Sequence, residues 1–183
     1  MFNFNYCAQI VCDIEGGLTL DPDDNGNWTG GEKGKGVLKG TKHGISAATY
    51  PNEDIPNMTR ERAEFLLHRD YWIMYSCDEI PEPIRLHYFD VAVNSGGIRA
   101  IYLLQKACGF KGVDVDGLIG NKTRAAMKKL GDKKLGAIKI YARMRTDWYR
   151  DIVKSKPAQV KYLGGWLGRV LDITFESLYL YIK

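Results

Sequence analysis

Glu15 stands immediately before Gly16-Gly17, and Asp24 and Thr29 follow within the next 14 residues. Upstream, Tyr6, Cys7, Ile10, Val11 and Ile14 recur at the spacing of one helix face, which predicts a helix over 4–14 that the two glycines stop. Glu15 is thereby expected at a helix C-terminus. The partial negative charge there disfavours an ionised carboxylate and suits a group that must donate a proton near neutral pH. The glycines leave room beside it for a ligand. An acid paired with a second carboxylate is the arrangement of glycoside hydrolysis: one protonates the leaving oxygen, while the other activates water or stabilises an oxocarbenium-like transition state. Glu15, Asp24 and Thr29 would set acid, carboxylate and hydroxyl around one short hairpin. An ordinary exposed glutamate near a helix end fits the same residues, and spacing alone leaves both readings standing.

The carboxylates of this stretch also satisfy a calcium-loop pattern, with Asp21, Asp23, Asn25, Gly26 and Glu32 at the ligand positions. Its context is wrong for a calcium sensor. Gly16-Gly17 break the entering helix, and Lys33-Gly-Lys-Gly36 is poor material for the exiting one. The three histidines, His43, His68 and His87, are scattered and form no triad pattern with a nucleophile. The four cysteines have no histidine at metal-ligand spacing and are expected as buried free thiols. No metal or other cofactor is expected.

The elements that must hold these groups are mostly helical. Residues 18–46 are rich in Gly, Asp, Asn, Thr and Lys and are expected as loop with a short hairpin, a length that usually signals function. Thr59 is a candidate N-cap for a helix over about 60–76. Apolar stretches 84–93 and 98–108 are separated by Asn94-Ser-Gly-Gly97. A tight turn at Asp114–Gly117 precedes a basic helix at 121–130, capped by Asn121 or Thr123. A longer helix covers about 134–154, Pro157 interrupts the chain, and a final helix follows Gly164-Gly165. The fold class expected is mainly α (α+β), helices with one small β-hairpin.

The chain has 183 residues, 45% hydrophobic and 26% charged, enough for one core or two small lobes. No apolar run reaches the length that crosses a bilayer, and the N-terminus does not read as a secretory signal. Charge is divided unevenly. Residues 1–121 carry 11 Lys/Arg against 17 Asp/Glu, and residues 122–183 carry 15 against 5. Lys128, Lys129, Lys133, Lys134 and Lys139 suggest a basic face drawn to a polyanion, although no nucleic-acid-binding motif is present. Trp28, Tyr50, Tyr71 and Trp72 could stack on sugar rings, with Trp28, in a polar loop, the better placed and the helix-borne Tyr71-Trp72 more often core. Asp90 and Asn94, polar within an apolar run, fit sugar recognition or the satisfaction of buried backbone groups.

Taken in order, Glu15-Gly-Gly, Asp21-Pro-x-Asp24, Gly26-Asn-Trp-Thr-Gly-Gly31, Lys39-Gly-Thr-Lys-His-Gly-Ile-Ser46, Asp70-Tyr-Trp72, Phe89-Asp-Val-Ala-Val-Asn-Ser-Gly96 and Leu104-Gln105 resemble the glycoside hydrolase family 108 N-acetylmuramidases of phages and prophages. Asp116-Gly-Leu-Ile-Gly120 with Thr123, Trp148-Tyr149 and Gly165-Trp-Leu-Gly-Arg169 resemble the peptidoglycan-binding-like region that accompanies them.

The resemblance implies a lysozyme-like, bilobed helical fold with the hairpin beside a cleft, a catalytic lobe over 1–93 and a peptidoglycan-binding-like lobe over 94–183, packed together. It implies an antimicrobial, lytic endolysin that hydrolyses the β-1,4 bond between N-acetylmuramic acid and N-acetylglucosamine. Glu15 aligns with the family's catalytic glutamate, and Asp24 is implied as the second carboxylate. The hydroxyl expected is Thr29, counting from Asp24, with Thr41, counting back from Gly44-Ile45, as the alternative. Trp28, Tyr50, Tyr71, Asp90 and Asn94 are the candidate substrate contacts. Expected partners are peptidoglycan strands and anionic envelope polymers, with no nucleic acid, and the chain is expected as a monomer. Made in the cytoplasm, it would need a holin or a secretion system to reach the wall or periplasm. A lytic transglycosylase and a non-catalytic wall-binding protein are the competing expectations.

Overall fold

The computed structural model describes residues 2–182, apart from the side chains of Glu15, Tyr181 and Ile182. Among the described residues it forms seven α-helices and one two-stranded antiparallel sheet, the mainly α, lysozyme-like class that was expected. The chain divides into two compact units, Phe4–Met74 and Tyr75–Lys183, the latter joined by Met1–Asn3. Position 93/94, where the sequence divides the chain into two lobes, lies within a helix of the second unit. No helix among the described residues is long and apolar enough to cross a membrane.

In the N-terminal unit, α1 (Phe4–Glu15) buries Cys7, Ala8, Val11 and Cys12 along one face. Phe4 meets the rings of His68 and Trp72 edge-on at 4.6 and 5.5 Å. α2 (Arg60–Leu67) starts as expected at Thr59, whose hydroxyl accepts from the Arg62 amide. It continues into a π-helical turn over His68–Ile73 rather than an unbroken helix. Arg60 ties α2 to α1 through Asp13 (2.8 Å) and the Gln9 carbonyl (3.3 Å). Strands β1 (Thr41–Lys42) and β2 (Ile45–Ser46) pair Thr41 with Ser46, and His43-Gly44 turn between them with φ of 52° and 80°.

The C-terminal unit is built on α3 (Glu82–Ser95), which is buried from Pro83 to Val93 except at Arg85. A helix buried all round needs partners on every side. Those partners are α4 (Gly97–Ala107), α6 (Leu135–Ser155) and α7 (Val160–Ile182), with α5 (Asn121–Gly131) bridging α3 and α4. Gly97 opens α4 where a side chain would collide with the Tyr75 ring, a Cβ there meeting it at 2.2 Å. Two expectations shift. α7 begins at Val160, and Gly164-Gly165 lie inside it. α5 is entered at Gly120 without a side-chain cap; Thr123 instead donates to the Leu118 carbonyl and accepts from Gln105. Cys7, Cys12 and Cys77 are buried free thiols as expected, and Cys108 is partly exposed.

Asp90 is fully buried on α3 and held by two cations, Arg145 of α6 at 2.6 Å and Arg169 of α7 at 2.6 Å. Its carboxylate, expected as a substrate contact, is instead engaged by both guanidiniums inside the core. Burial alone would push its pKa up, yet Arg169 and Arg145 hold it below the usual aspartate range. Arg145 also donates to His87 Nδ1 at 3.2 Å. Because a guanidinium only donates, His87 must carry its proton on Nε2, facing Thr174 Oγ1 at 3.2 Å, and that hydroxyl donates on to the Val170 carbonyl. A second proton on His87 would set two donors against each other.

Two outcomes follow from this network. Asp90→Ala leaves Arg145 buried without its anion and is expected to cost about 3–5 kcal/mol in urea unfolding. Burial, and then the Arg145 charge, lower the His87 pKa from 6.5 to about 3. The unfolded chain therefore takes up a proton there near pH 6.5 and the folded chain only near pH 3. This residue's contribution to stability is complete above pH 6.5 and is lost as pH falls, at about 1.4 kcal/mol per pH unit. Unfolding measured at stepped pH should show that slope, and His87→Gln, which keeps acceptor and donor without titrating, should remove it.

Candidate active site

Glu15 is the last residue of α1, and its side chain lies outside the described residues. The Gly16 amide still donates to the Cys12 carbonyl, and Gly16 takes φ 68°, so the chain leaves the helix immediately after Glu15. Four residues on, Thr19 and Thr41 exchange both backbone hydrogen bonds, at 2.9 and 3.0 Å. The segment leaving Glu15 is thereby fixed along β1.

Asp24 caps a short 3-10 turn, Asn25–Asn27, with its Oδ1 accepting from the Gly26 amide at 2.9 Å. The carboxylate is exposed. The loop carrying it is organised by Asn27, which is fully buried and which sequence reasoning had given no role. Asn27 Nδ2 donates to the Asp21 carbonyl (2.9 Å), and its Oδ1 accepts from Thr41 Oγ1 (2.7 Å). Its own carbonyl accepts from both Lys39 and Gly40 amides at 3.0 Å, and its amide donates to the Asp24 carbonyl at 3.1 Å. One residue thus joins the Asp21–Asp24 turn to the start of β1. A lone asparagine between glycine and tryptophan gave little warning of this.

The two candidate threonines have different surroundings. Thr29 stands at the neck of an excursion over residues 30–36, where its Oγ1 accepts from the Val37 amide and the space facing Gly36 is closed. Thr41 lies in β1, linked to Thr19 through the backbone and to Asn27 through its hydroxyl. The groups of the calcium-loop pattern are engaged locally: Asp21 accepts from the Asp23 amide, Asp23 pairs with Lys33, Asn25 accepts from the Lys33 amide, and Glu32 pairs with Lys35. Among the described residues no cluster of His, Cys, Asp and Glu could hold a metal.

Trp28 is half-buried, bridges to Leu38, and donates its indole N–H to the Pro22 carbonyl at 3.0 Å. Tyr50, also half-buried, donates to Asp70 Oδ2 at 2.8 Å, and burial raises its hydroxyl well above the usual tyrosine range. Asp70 is gripped by Arg69 at 2.6 and 2.7 Å, on the π-helical turn that also carries the half-buried Tyr71 and the core residue Trp72. Glu15, Asp24, Trp28, Thr29, Thr41, Tyr50 and Tyr71 share the N-terminal unit. Asp90 and Asn94 belong to the other, with Asn94 exposed at the end of α3.

A helix ending on a glutamate, followed by a braced carboxylate-bearing loop in a mainly α, lysozyme-like chain, is the framework of a glycoside hydrolase. Residues 8–96 match the family described as glycosyl hydrolase 108, and residues 99–171 match a predicted peptidoglycan domain. The chain belongs to the glycosyl hydrolase 108 family, and the two domains together make it a peptidoglycan-degrading glycoside hydrolase. Among solved structures it is similar to that of Brucella abortus SagA, with a TM-score of 0.77 and 26% identity over 98% of this chain and 96% of that one. No curated protein matches it.

Asn27→Ala is expected to release the loop from β1 at a cost of about 1–3 kcal/mol, since it strands the Thr41 hydroxyl and the Asp21 carbonyl. Hydrogen exchange should show faster exchange at Gly40 and Thr41 than in the wild type, with the amides of α3 unaffected.

Proposed function

We propose that this chain is an N-acetylmuramidase, hydrolysing the β-1,4 bond between N-acetylmuramic acid and N-acetylglucosamine. Glu15 protonates the leaving oxygen, and Asp24 orients water or stabilises the developing positive charge. The observation that carries this reading is the hydrogen-bonded link from the end of α1 through Thr19–Thr41 and Asn27 to Asp24. It makes the backbone at Glu15, the second carboxylate and the Thr41 hydroxyl parts of one braced assembly. Glu15 ends α1, at the negative end of its dipole.

Thr41 supplies the hydroxyl in this reading. It lies within the brace, whereas Thr29 is spent on closing the neck of the 30–36 excursion. Trp28, Tyr50 and Tyr71 are the ring-stacking candidates that remain, all half-buried in the same unit. The setting that suits such an enzyme is lysis of a bacterial wall by a phage or prophage, with a holin or a secretion system bringing it to its substrate.

Purified peptidoglycan digested with wild type should yield fragments with reducing-end N-acetylmuramic acid by mass spectrometry. Glu15→Gln should keep the fold and lose activity by about 10²–10⁴-fold. Thr41→Ala should lower kcat more than Thr29→Ala. Fragments with 1,6-anhydro ends would replace hydrolysis by transglycosylation, and an active Glu15→Gln would remove the proposed acid.

A further inference from the structure

The C-terminal unit carries an open groove of about 660 Å³ that the muramidase reading does not use. Arg99, Tyr102 and Lys106 project into it from one face of α4, and Phe110, Lys111 and Met144 complete its principal walls. Three properties set it apart. Its lining includes three cations and no carboxylate. None of these cations is in ion-pair distance of an acid among the described residues, although Arg124, Arg143 and Arg150 nearby in sequence all are. Arg99 is also held in place by aromatic faces, its guanidinium lying 5.6 Å from the Tyr102 ring centroid and 5.1 Å from that of Trp148.

A larger concavity on the other side of Phe110 offers a contrast. There Lys129 and Lys133 share the walls with Asp114 and Asp116, so the two signs of charge are mixed. Lys128 and Lys134 line a third, with Asp132 and Glu82. The lysines that the sequence grouped as one basic face are therefore distributed over separate surfaces. The concentrated positive field with apolar walls lies elsewhere, on Arg99, Lys106 and Lys111.

We propose that this groove binds the acidic stem peptide of peptidoglycan, holding the wall while the N-terminal unit acts on the glycan. The proposal rests on the assignment of this chain to peptidoglycan. All of the groove's lining residues fall within residues 99–171, the stretch matching the peptidoglycan domain. A stem peptide is short, rich in carboxylates and carries alanine methyl groups. The carboxylates meet the three cations, and the methyl groups pack on Tyr102, Phe110, Val115 and Met144. A polyglycerol phosphate chain offers the charge without the apolar groups, and would leave those walls uncovered.

The full chain should be titrated with the soluble tripeptide L-alanyl-γ-D-glutamyl-meso-diaminopimelate by calorimetry. Saturable binding that weakens as salt rises is expected. The double variant Lys106→Glu/Lys111→Glu should weaken it about tenfold, the effect of two exposed ion pairs turned repulsive, while Lys106→Arg/Lys111→Arg keeps it. Thermal melting of each variant verifies that the fold is retained. Absence of saturable binding, equal binding by the charge-reversed variant, or preference for a glycerol phosphate oligomer overturns the proposal. Release of fragments from peptide-free glycan strands by wild type is measured separately. Its failure counts against the muramidase reading and leaves the titration to decide the groove.

Discussion

A buried amide side chain has to find partners for its donors and acceptor, and in this protein Asn27 finds them on both sides of the loop that matters. Residues 18–40 contain few apolar anchors, so the loop cannot be held by burial of hydrophobic surface. Its shape has to come from hydrogen bonds, each worth little unless its partners are protected from water. Asn27 provides that protected centre, and the Asp21–Asp24 turn, the Lys39–Gly40 amides and Thr41 are ordered around it. Remove the centre and Asp24 still exists, but no longer at a defined place relative to β1. The geometry of the candidate site therefore depends on a residue that has no part in the chemistry.

The second unit solves a related problem with charge. α3 is buried on all sides, yet it carries Asp90 and His87 into the core. A lone carboxylate there would be strongly disfavoured, and two arginines from α6 and α7 are needed to hold it ionised. The same three residues then fix how those helices register against α3, because an apolar contact could slide where a hydrogen-bonded ion pair cannot. His87 extends the constraint to Thr174, and its proton position follows from a donor that can never accept.

Much of the helical framework was legible because apolar residues at helical spacing mark buried faces irrespective of what they pack against. That is why α1, α4 and α6 appear close to where the sequence places them. Gly164-Gly165 misled about the start of α7 because glycine lowers helix propensity by only about 1 kcal/mol, which tertiary packing along a 23-residue helix outweighs. Asp90 invited a substrate role because a polar residue in an apolar run has two explanations. Only its partners, Arg145 and Arg169, more than 50 residues away, decide between them. Asn27 was illegible for the same reason: what makes it a centre is its contacts with residues 21, 39, 40 and 41, which a linear pattern does not show.

Charge counted along the chain and charge arranged in space also part company here. The surplus of lysine after residue 121 points to a basic face, but acids interleave with those lysines on the folded surface. Arg99, Lys106 and Lys111 belong to the stretch whose net charge is negative, and yet they form the groove free of acids. Electrostatic attraction acts over roughly a Debye length, about 8–10 Å at physiological salt, so the relevant sum is local. A peptidoglycan hydrolase gains from such an arrangement. The glycosyl hydrolase domain carries the carboxylates proposed for the chemistry, and carboxylates repel an acidic wall. In the arrangement proposed above, the concentrated cationic surface of Arg99, Lys106 and Lys111 on the other unit restores attraction to an acidic polymer.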